Sequence, residues 1–205
     1  FLELGDINYA EKIFSLTFNH PLLFKSPTLY SGLSGWGLAN LKFWIKTKKS
    51  IYIENAKKAG DNIIKILKAS EKGLYWCDEN KKVSLGYLHG SSGMGLFFLY
   101  LYLVTKDNNY KKFAINLLNF DLNNAVITKE NGYSWPEDKN NRKIIYPYLE
   151  YGSAGVGIVC LRYEQVFKDK KYSDIINKIY IDCDRKYAVS PSRNLGLAGI
   201  GEFLY

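Results

Sequence analysis

The sequence predicts an all-α fold of repeated αα-hairpins that form part of an (α/α) toroid. Two observations predict this architecture: a glycine-rich hexamer recurs four times, and two segments with helical apolar periodicity follow each of the first three copies. Strand signals are sparse, because no alternating run of Val, Ile or Thr is bounded by tight hairpin turns. A helical hairpin cannot bury its apolar faces alone, so neighbouring hairpins are expected to stack on one another.

The hexamers have the form Gly-x-[Ser/Ala]-Gly-x-Gly and occupy residues 32–37, 90–95, 152–157 and 196–201. Helices that open with glycines suit a crowded inner ring, where small residues let two backbones approach closely. Repeats of roughly 60 residues also exceed the usual solenoid unit, which favours a closed toroid. In a toroid the glycine-rich turns gather at one mouth and direct helix N-termini towards the central cavity.

Each complete repeat is predicted to contain two helices joined by a charged or Asn-rich turn. The first helices are predicted at 38–45, 96–104 and 158–167, and the second helices at 51–69, 110–122 and 172–187. A Gly-x-x-Trp sequence, at 73–76 and again at 132–135, is expected to end the second helix and to lead through a loop to the next hexamer. The chain is therefore predicted to hold three complete hairpins and the start of a fourth.

The composition is that of an ordinary globular protein. The 205 residues are 47% hydrophobic and carry 28 Lys and Arg against 20 Asp and Glu, a net charge of +8, which excludes intrinsic disorder. The lysines lie in small scattered groups, which predicts solvated surface and no nucleic-acid partner. The longest apolar run, 93–104, is shorter than the roughly 18 residues that a membrane span needs, so no span is expected.

The three cysteines are too few and too scattered for a disulfide framework. Cys77, Cys160 and Cys183 form no CxxC pair, so reduced thiols and a cytoplasmic location are expected. Cys160 lies in an apolar run and is predicted to be a buried, inert thiol, whereas Cys77 is expected in an exposed loop. His20 falls outside every motif and is predicted to be a loop residue.

The four glycine motifs, with the residues that precede them, resemble those of the LanC-like lanthipeptide cyclase domain. The segments that carry the resemblance are 30–35 (YSGLSG), 88–93 (LHGSSG), 149–155 (LEYGSAG) and 195–202 (LGLAGIGE). The resemblance covers roughly 27–205 and implies an α/α-toroid with more hairpins than this chain holds. Residues 1–205 are therefore expected to be the central part of one cyclase domain, with further hairpins outside this stretch.

Cyclases of this family join a peptide cysteine thiol to a dehydroalanine or dehydrobutyrine by Michael addition. The zinc-dependent members bind the metal through a Cys in the third motif and a Cys-His pair in the fourth. The matching positions here are Glu150, Asn194 and Leu195, which do not make a zinc site, so no metal or other cofactor is expected in this domain. Thr28 stands where the family has an acidic residue ahead of the first motif.

Intact glycine motifs without zinc ligands are similar to the cyclase domain of class III lanthipeptide synthetases. In those enzymes the cyclase domain follows a lyase and a protein kinase domain in one polypeptide. The resemblance therefore implies lyase and kinase domains outside this stretch, a nucleotide and Mg²⁺ for the kinase, and a dehydrated precursor peptide as the partner. The implied products are lanthionine, methyllanthionine or labionin rings.

Without zinc, a side chain must take the proton from a thiol whose pKa is near ~8.5 and protonate the enolate that forms. His89 precedes the second hexamer and suits this acid–base role; the competing interpretation is that it only caps its helix or fills the inner ring. Glu150 is a candidate for orienting the base or a cationic partner. Tyr151 and Tyr30 are candidates for donating a hydrogen bond to the enolate oxygen, although inner-ring packing also accounts for both tyrosines.

Two other functions remain open from the sequence. One is a non-catalytic scaffold that binds peptide while neighbouring domains do the chemistry, which the missing zinc ligands favour. The other is a carbohydrate-active α/α-toroid, which the aromatic content suits. Such enzymes usually need two carboxylates across the cavity, whereas Glu150 is the only acidic residue placed beside a glycine motif on its N-terminal side.

Overall fold

The chain forms three αα-hairpins and the first helix of a fourth, as the sequence predicts. The computed structural model describes residues 2–205. Its helices are α1 (Ile7–Ser15), α2 (Leu33–Thr47), α3 (Ser50–Ile66), α4 (Ser91–Thr105), α5 (Asn108–Leu122), α6 (Ser153–Phe167), α7 (Lys170–Cys183) and α8 (Leu197–Leu204), with a 3-10 helix at Pro21–Phe24. The hairpins are α2–α3, α4–α5 and α6–α7. None of these helices is both long enough and apolar enough to span a membrane.

The helices lie in two layers. Helices α2, α4, α6 and α8 contact one another in sequence order and form an inner row, and α3, α5 and α7 each pack mainly on the inner helix of their own hairpin. Helix α4 has inner neighbours on both sides and α5 behind it, which explains why its apolar residues surround the whole helix. Phe97, Phe98 and Leu99 are completely buried there.

Each inner helix begins inside its hexamer, earlier than the sequence predicts. The N-cap residue is the first glycine of the motif in all four cases, so the hexamer supplies the first turn of the helix. A Cβ atom on Gly90 would overlap the backbone of Leu85 and Gly86, so a side chain at this N-cap is excluded. The glycine thus lets the start of α4 pack against the backbone of the loop that precedes it.

The inner row is interlocked by a contact that repeats from hairpin to hairpin. The second glycine of a hexamer faces the Cβ atom of the residue three positions before the preceding hexamer. The pairs are Gly93 with Leu29, Gly155 with Tyr87, and Gly199 with Leu149. Because the contact sits at the same repeat position each time, it holds successive helix N-termini at the same level.

The two helices of each hairpin are joined by a two-residue turn. The first residue of the turn is a lysine in the left-handed conformation, namely Lys48, Lys106 or Lys168, with φ of 58°, 59° and 54°. Its N–H closes the last turn of the inner helix. In the second and third hairpins the next residue, Asp107 or Asp169, caps the outer helix with its carboxylate.

Five short strands lie between the hairpins, where the sequence predicts only loops. They are β1 (Lys68–Ser70), β2 (Gly73–Tyr75), β3 (Val126–Ile127), β4 (Tyr133–Asp138) and β5 (Asn141–Tyr146). Strands β1 and β2 pair antiparallel, and β3, β4 and β5 form an antiparallel sheet in that order. The Gly-x-x-Trp sequences therefore open a strand after the outer helix. At two to six residues, with no alternating burial in β4, these strands lack the pattern that identifies a strand in sequence.

Two outer helices end earlier than the sequence predicts. Helix α3 ends at Ile66 rather than at residue 69, because the chain enters β1 at Lys68. Helix α7 ends at Cys183 rather than at residue 187.

Candidate functional site

The four glycine-rich turns lie side by side and are tied together by backbone hydrogen bonds. These hydrogen bonds are made by the residue that lies two positions before each hexamer. The Tyr30 N–H donates to the Leu88 carbonyl (3.0 Å), the Leu88 N–H to the Glu150 carbonyl (3.4 Å), and the Glu150 N–H to the Asn194 carbonyl (2.9 Å). This chain of bonds brings the residues that precede the motifs to one end of the inner row, as predicted.

His89 stands at the centre of this arrangement. Its Nε2 atom lies 3.1 Å from Oε1 of Glu150. Tyr151 stacks on one side of the imidazole, with ring centroids 5.0 Å apart and an interplanar angle of 14°. Tyr30 approaches as well, with its centroid 4.9 Å from that of His89 and a 45° tilt. The four residues predicted for the site thus come together.

The site is accessible but sheltered. The side chains of His89 and Glu150 are 22% and 16% exposed to solvent, and Tyr30 is 61% exposed. The contact between His89 and Glu150 is therefore partly removed from water, and Tyr30 forms an outer wall that solvent or a substrate can reach. A charge–dipole contact in this setting is stronger than on an open surface.

The geometry assigns a tautomer to neutral His89. An ionised Glu150 only accepts hydrogen bonds, so Nε2 of His89 must be the donor in the 3.1 Å contact. The lone pair of the neutral ring is then on Nδ1. Nδ1 is consequently the atom that can accept a proton, and Glu150 stabilises the imidazolium that results.

Tyr151 is held in its neutral form. Burial, followed by the negative charges of Glu137 and Glu150, raises the pKa of Tyr151 to about 12. The hydroxyl is therefore a hydrogen-bond donor at neutral pH and not a base.

Three residues near the site were not identified from the sequence. Lys82 and Glu137 form an ion pair, and the ring of Tyr146 lies 6.3 Å from that of Tyr151. Together with Asp138, Asn141 and Ile144 they line a cleft of about 240 Å³. Glu137 and Tyr146 belong to β4 and β5, outside every glycine motif. The only local signal for them was the Gly-x-x-Trp sequence that opens β4.

The residues at the family's zinc positions do not fit a zinc ion. The turns that would carry the ligands do meet, since the backbones of Glu150 and Asn194 are hydrogen-bonded. However, the Glu150 carboxylate is engaged by His89, and Asn194 and Leu195 supply neither a thiolate nor an imidazole. Within residues 2–205, no three His, Cys, Asp or Glu side chains are grouped so that they could hold a metal ion. Thr28 is buried, and its hydroxyl contacts that of Ser26 at 2.9 Å.

The cysteines lie apart from this arrangement, whereas His20 and Tyr30 line the same pocket of about 420 Å³. Cys160 is completely buried, as predicted, and burial raises the pKa of its thiol. Cys183 is buried as well. Cys77 is half-buried rather than fully exposed, and its sulfur accepts a hydrogen bond from Nζ of Lys68 at 2.8 Å. His20 precedes the 3-10 helix and accepts a hydrogen bond from the Leu22 N–H.

Comparison with solved structures identifies the fold. The structure of nisin cyclase superposes with a TM-score of 0.56 at 16% identity, covering 96% of this chain and 68% of that one. An inactive variant of the α-1,6-mannanase GH76A of Salegentibacter sp. HEL1_6, in complex with α-1,6-mannotetrose, superposes with a TM-score of 0.62 at 17% identity, covering 91% and 57%. Both are α/α-toroids, which confirms the predicted architecture.

Sequence comparison identifies the family. The "Probable SapB synthase" of Streptomyces coelicolor is 26% identical over 197 residues, which cover 96% of this chain and 21% of that protein. This chain thus spans about a fifth of the length of that curated relative. The family model described as "Lanthionine synthetase C-like protein" matches residues 8–205. Since that match takes in nearly the whole chain, this chain belongs to the lanthionine synthetase C-like family.

Proposed function

We propose that this chain is the cyclase part of a lanthipeptide synthetase of the class III type, and that it closes thioether or carbon-bridged rings without zinc. The observation that carries the proposal is the contact between His89 and Glu150, flanked by Tyr30 and Tyr151, at the end of the inner row where the family's motifs meet. An imidazole, a carboxylate and two tyrosine rings around one accessible point support this proposal.

In the proposed reaction, Nδ1 of His89 accepts the proton of a peptide cysteine. The thiolate then attacks the β-carbon of dehydroalanine or dehydrobutyrine, forming the C–S bond, and the electron pair of the double bond moves to the neighbouring amide as an enolate. For a thioether ring, the imidazolium then returns the proton to the α-carbon. For a carbon-bridged ring, the enolate carbon first attacks the β-carbon of a second dehydroalanine, and the enolate that forms there takes the proton. In both cases the histidine is regenerated. A base in this position contributes on the order of 10²–10⁴ to the rate.

The surrounding side chains stabilise the two charged intermediates. Glu150 carries the negative charge that favours the imidazolium. Tyr151, whose raised pKa keeps its proton in place, and Tyr30 donate hydrogen bonds to the enolate oxygen. The stacked Tyr151 ring also restricts the orientation of the imidazole.

The partners of this domain follow from the same proposal. A dehydrated, Cys-containing precursor peptide is the substrate, and the products are lanthionine, methyllanthionine or labionin rings. Lyase and kinase domains of the same polypeptide, the kinase with a nucleotide and Mg²⁺, dehydrate the peptide in the cytoplasm. Further hairpins outside residues 1–205 complete the ring.

A carbohydrate-active enzyme is the second candidate, and one observation favours it. Glu137 is a second carboxylate close enough to act on Tyr151 together with Glu150, and the mannanase shares the fold. Glu137 is paired with Lys82, however, and Glu150 with His89, so both carboxylates are already engaged. A peptide-binding scaffold, the third candidate, needs the same surface but no proton transfer.

The test compares His89→Ala with the wild type in the full-length protein, using a synthetic peptide that carries one cysteine and one dehydroalanine. We expect the enzymatic rate of ring closure, followed by mass spectrometry after thiol alkylation, to fall about 10²–10⁴-fold. Lys65→Ala, at an exposed position near the end of α3, is the control and should retain the wild-type rate. A His89→Ala variant that closes rings at the wild-type rate but binds the peptide more weakly would favour the scaffold instead.

A further inference from the structure

Helices α4 and α6, which follow the turns carrying His89 and Glu150, begin without a capping side chain of their own. Their N-cap residues, Gly90 and Gly152, have no side chain that accepts a hydrogen bond from the first helical turn. The N–H groups of a first turn need an acceptor when they are buried. Neighbouring backbone fills the space around Gly90 and Gly152, so neither position can carry a capping side chain. In α6 the Ala154 and Gly155 N–H groups donate to the Pro147 and Tyr148 carbonyls, whereas in α4 the Ser92 N–H takes its acceptor from another element.

For α4 that acceptor is Asp121 on α5. Its Oδ2 atom accepts hydrogen bonds from the Ser92 N–H (2.8 Å), the Ser92 hydroxyl (2.7 Å) and the Gly86 N–H (3.0 Å). Gly86 and Ser92 each lie three residues from His89, one on either side. A single carboxylate oxygen therefore holds both ends of the turn that carries the proposed base.

For α6 the corresponding residue is Asp182 on α7. Its Oδ2 atom accepts a close hydrogen bond from the hydroxyl of Ser153, the first residue of α6, and its Oδ1 atom pairs with Arg185. Ser153 follows Glu150, Tyr151 and Gly152 directly. Asp182 thus holds the turn that carries the partner of His89 through a serine hydroxyl, whereas Asp121 also accepts hydrogen bonds from backbone N–H groups.

The first hairpin lacks this device. The first-turn serine of α2, Ser34, donates its hydroxyl hydrogen bond to the Pro27 carbonyl at 2.6 Å, a backbone group of its own turn. That turn brings only the exposed Tyr30 to the site. Among the three complete hairpins of the described chain, the buried aspartates occur in the two that supply His89, Glu150 and Tyr151.

Stability does not account for Asp121. The residue is completely buried and its Oδ1 atom has no hydrogen-bond partner among the described residues. Burial raises the pKa of Asp121 to about 7, against the opposing effect of the hydrogen bonds from Ser92 and Gly86. A carboxyl group with one oxygen left unpaired in the core is costly for the fold, so a role in holding the turn is the better explanation.

We propose that Asp121 and Asp182 are positioning residues, which act from the outer layer to set the 3.1 Å contact between His89 and Glu150. This role contributes to catalysis only if the proposed function holds. The effect of the two aspartates on the contact between His89 and Glu150 can nevertheless be measured without any substrate. Asp121 fixes the imidazole through its turn, and Asp182 fixes the carboxylate through Ser153. Supporting partners of this kind typically change activity 10–100-fold when they are removed.

The test uses Asp121→Ala, Asp121→Asn and Ser153→Ala in the full-length protein, with Ile63→Val, a change in the buried face of α3, as a control for lost core packing. The first measurement is the ¹⁵N spectrum of the His89 ring, which distinguishes protonation at Nε2 from protonation at Nδ1. We expect Asp121→Ala and Ser153→Ala to lose the single Nε2–H signal and to show a mixture of tautomers. Asp121→Asn should largely keep it, because an amide oxygen still accepts from Ser92 and Gly86. Ile63→Val should keep it entirely.

The second measurement is ring closure of the synthetic cysteine–dehydroalanine peptide. We expect kcat to fall about 10–100-fold in Asp121→Ala and Ser153→Ala with KM little changed, and to recover in Asp121→Asn. If Asp121→Ala does not fold, Ser92→Ala removes one donor only and should shift the His89 signal in the same direction.

The positioning role would be overturned if the His89 spectrum were unchanged both in Ser153→Ala and in Asp121→Ala. Where Asp121→Ala does not fold, Ser92→Ala takes its place in this comparison. This outcome differs from failure of the proposed function. In that case the spectra would still respond to the aspartates, while wild-type protein and His89→Ala would process the peptide alike.

Discussion

His89 acquires its proposed role from its three neighbours more than from its own place in the chain. Glu150 sets which nitrogen carries the lone pair, Tyr151 restricts the ring, and Tyr30 closes the exposed side. The motif spacing predicted that these residues would lie at the same mouth, because each stands one or two positions before a hexamer. It did not predict the hydrogen bond between Glu150 and His89, since side-chain direction depends on the packing of two different hairpins.

Substitution of Glu150 tests whether its negative charge contributes to ring closure. Glu150→Gln keeps the size and an acceptor oxygen but removes the charge that stabilises the imidazolium. We expect ring closure to slow by about 10-fold, a loss comparable with roughly 1.4 kcal/mol of transition-state stabilisation. Glu54→Gln, on the exposed side of α3, is the control and should leave the rate unchanged. A Glu150→Gln variant with the wild-type rate would mean that the contact is only structural.

At the level of elements, the inner helices were predictable because their signal repeats. The hexamers identified where each inner helix lies, although the helices begin earlier than predicted, and charged or Asn-rich turns were predicted between the two helices of a hairpin. The strands were not predictable, since β1 to β5 are short and are stabilised by pairing after the outer helices end. As a result, Lys82, Glu137 and Tyr146 were missed at the rim of the site.

The interlocked glycines provide a test of helix packing. A Cβ atom on Gly155 would meet the Leu149 carbonyl oxygen and the Tyr87 Cβ, so Gly155→Ala is expected to lower the free energy of unfolding by about 1–3 kcal/mol. Gly201→Ala is the matched control, because nothing lies within 4 Å of the position and alanine favours the helix. Urea unfolding of both variants measures the difference. Equal stabilities would refute the close approach of α6 to the turn that precedes α4.

For the whole molecule, the order of the hairpins determines which side chains come together at the proposed site. Backbone hydrogen bonds carry the glycine turns of four successive repeats to one end, so residues more than one hundred positions apart in sequence share a surface. The repeat pattern predicted this gathering. The buried aspartates behind it were not predicted, because a single Asp in an outer helix has no sequence signature that distinguishes it from a surface residue.

Asp121 also makes the stability of the whole fold depend on pH. The pKa of its carboxyl group is about 7 in the folded chain against an ordinary value of 3.8, so the unfolded chain releases this proton first as the pH rises. The free energy of unfolding should therefore decrease between about pH 4 and pH 7, by roughly 1 kcal/mol per pH unit, relative to Asp121→Asn. Urea unfolding of both proteins across this range measures the difference. A constant difference between them would contradict the effect of burial on Asp121.

In the proposed reaction, side chains and not a zinc ion activate the thiol. The most direct measurement is the rate of ring closure of the synthetic cysteine–dehydroalanine peptide by full-length protein after exhaustive chelation and removal of the chelator. The residues at Glu150, Asn194 and Leu195 predict the same rate as before chelation, with no increase when zinc is added back. Loss of ring closure on chelation, and its recovery with zinc but not with Mg²⁺, would contradict the account.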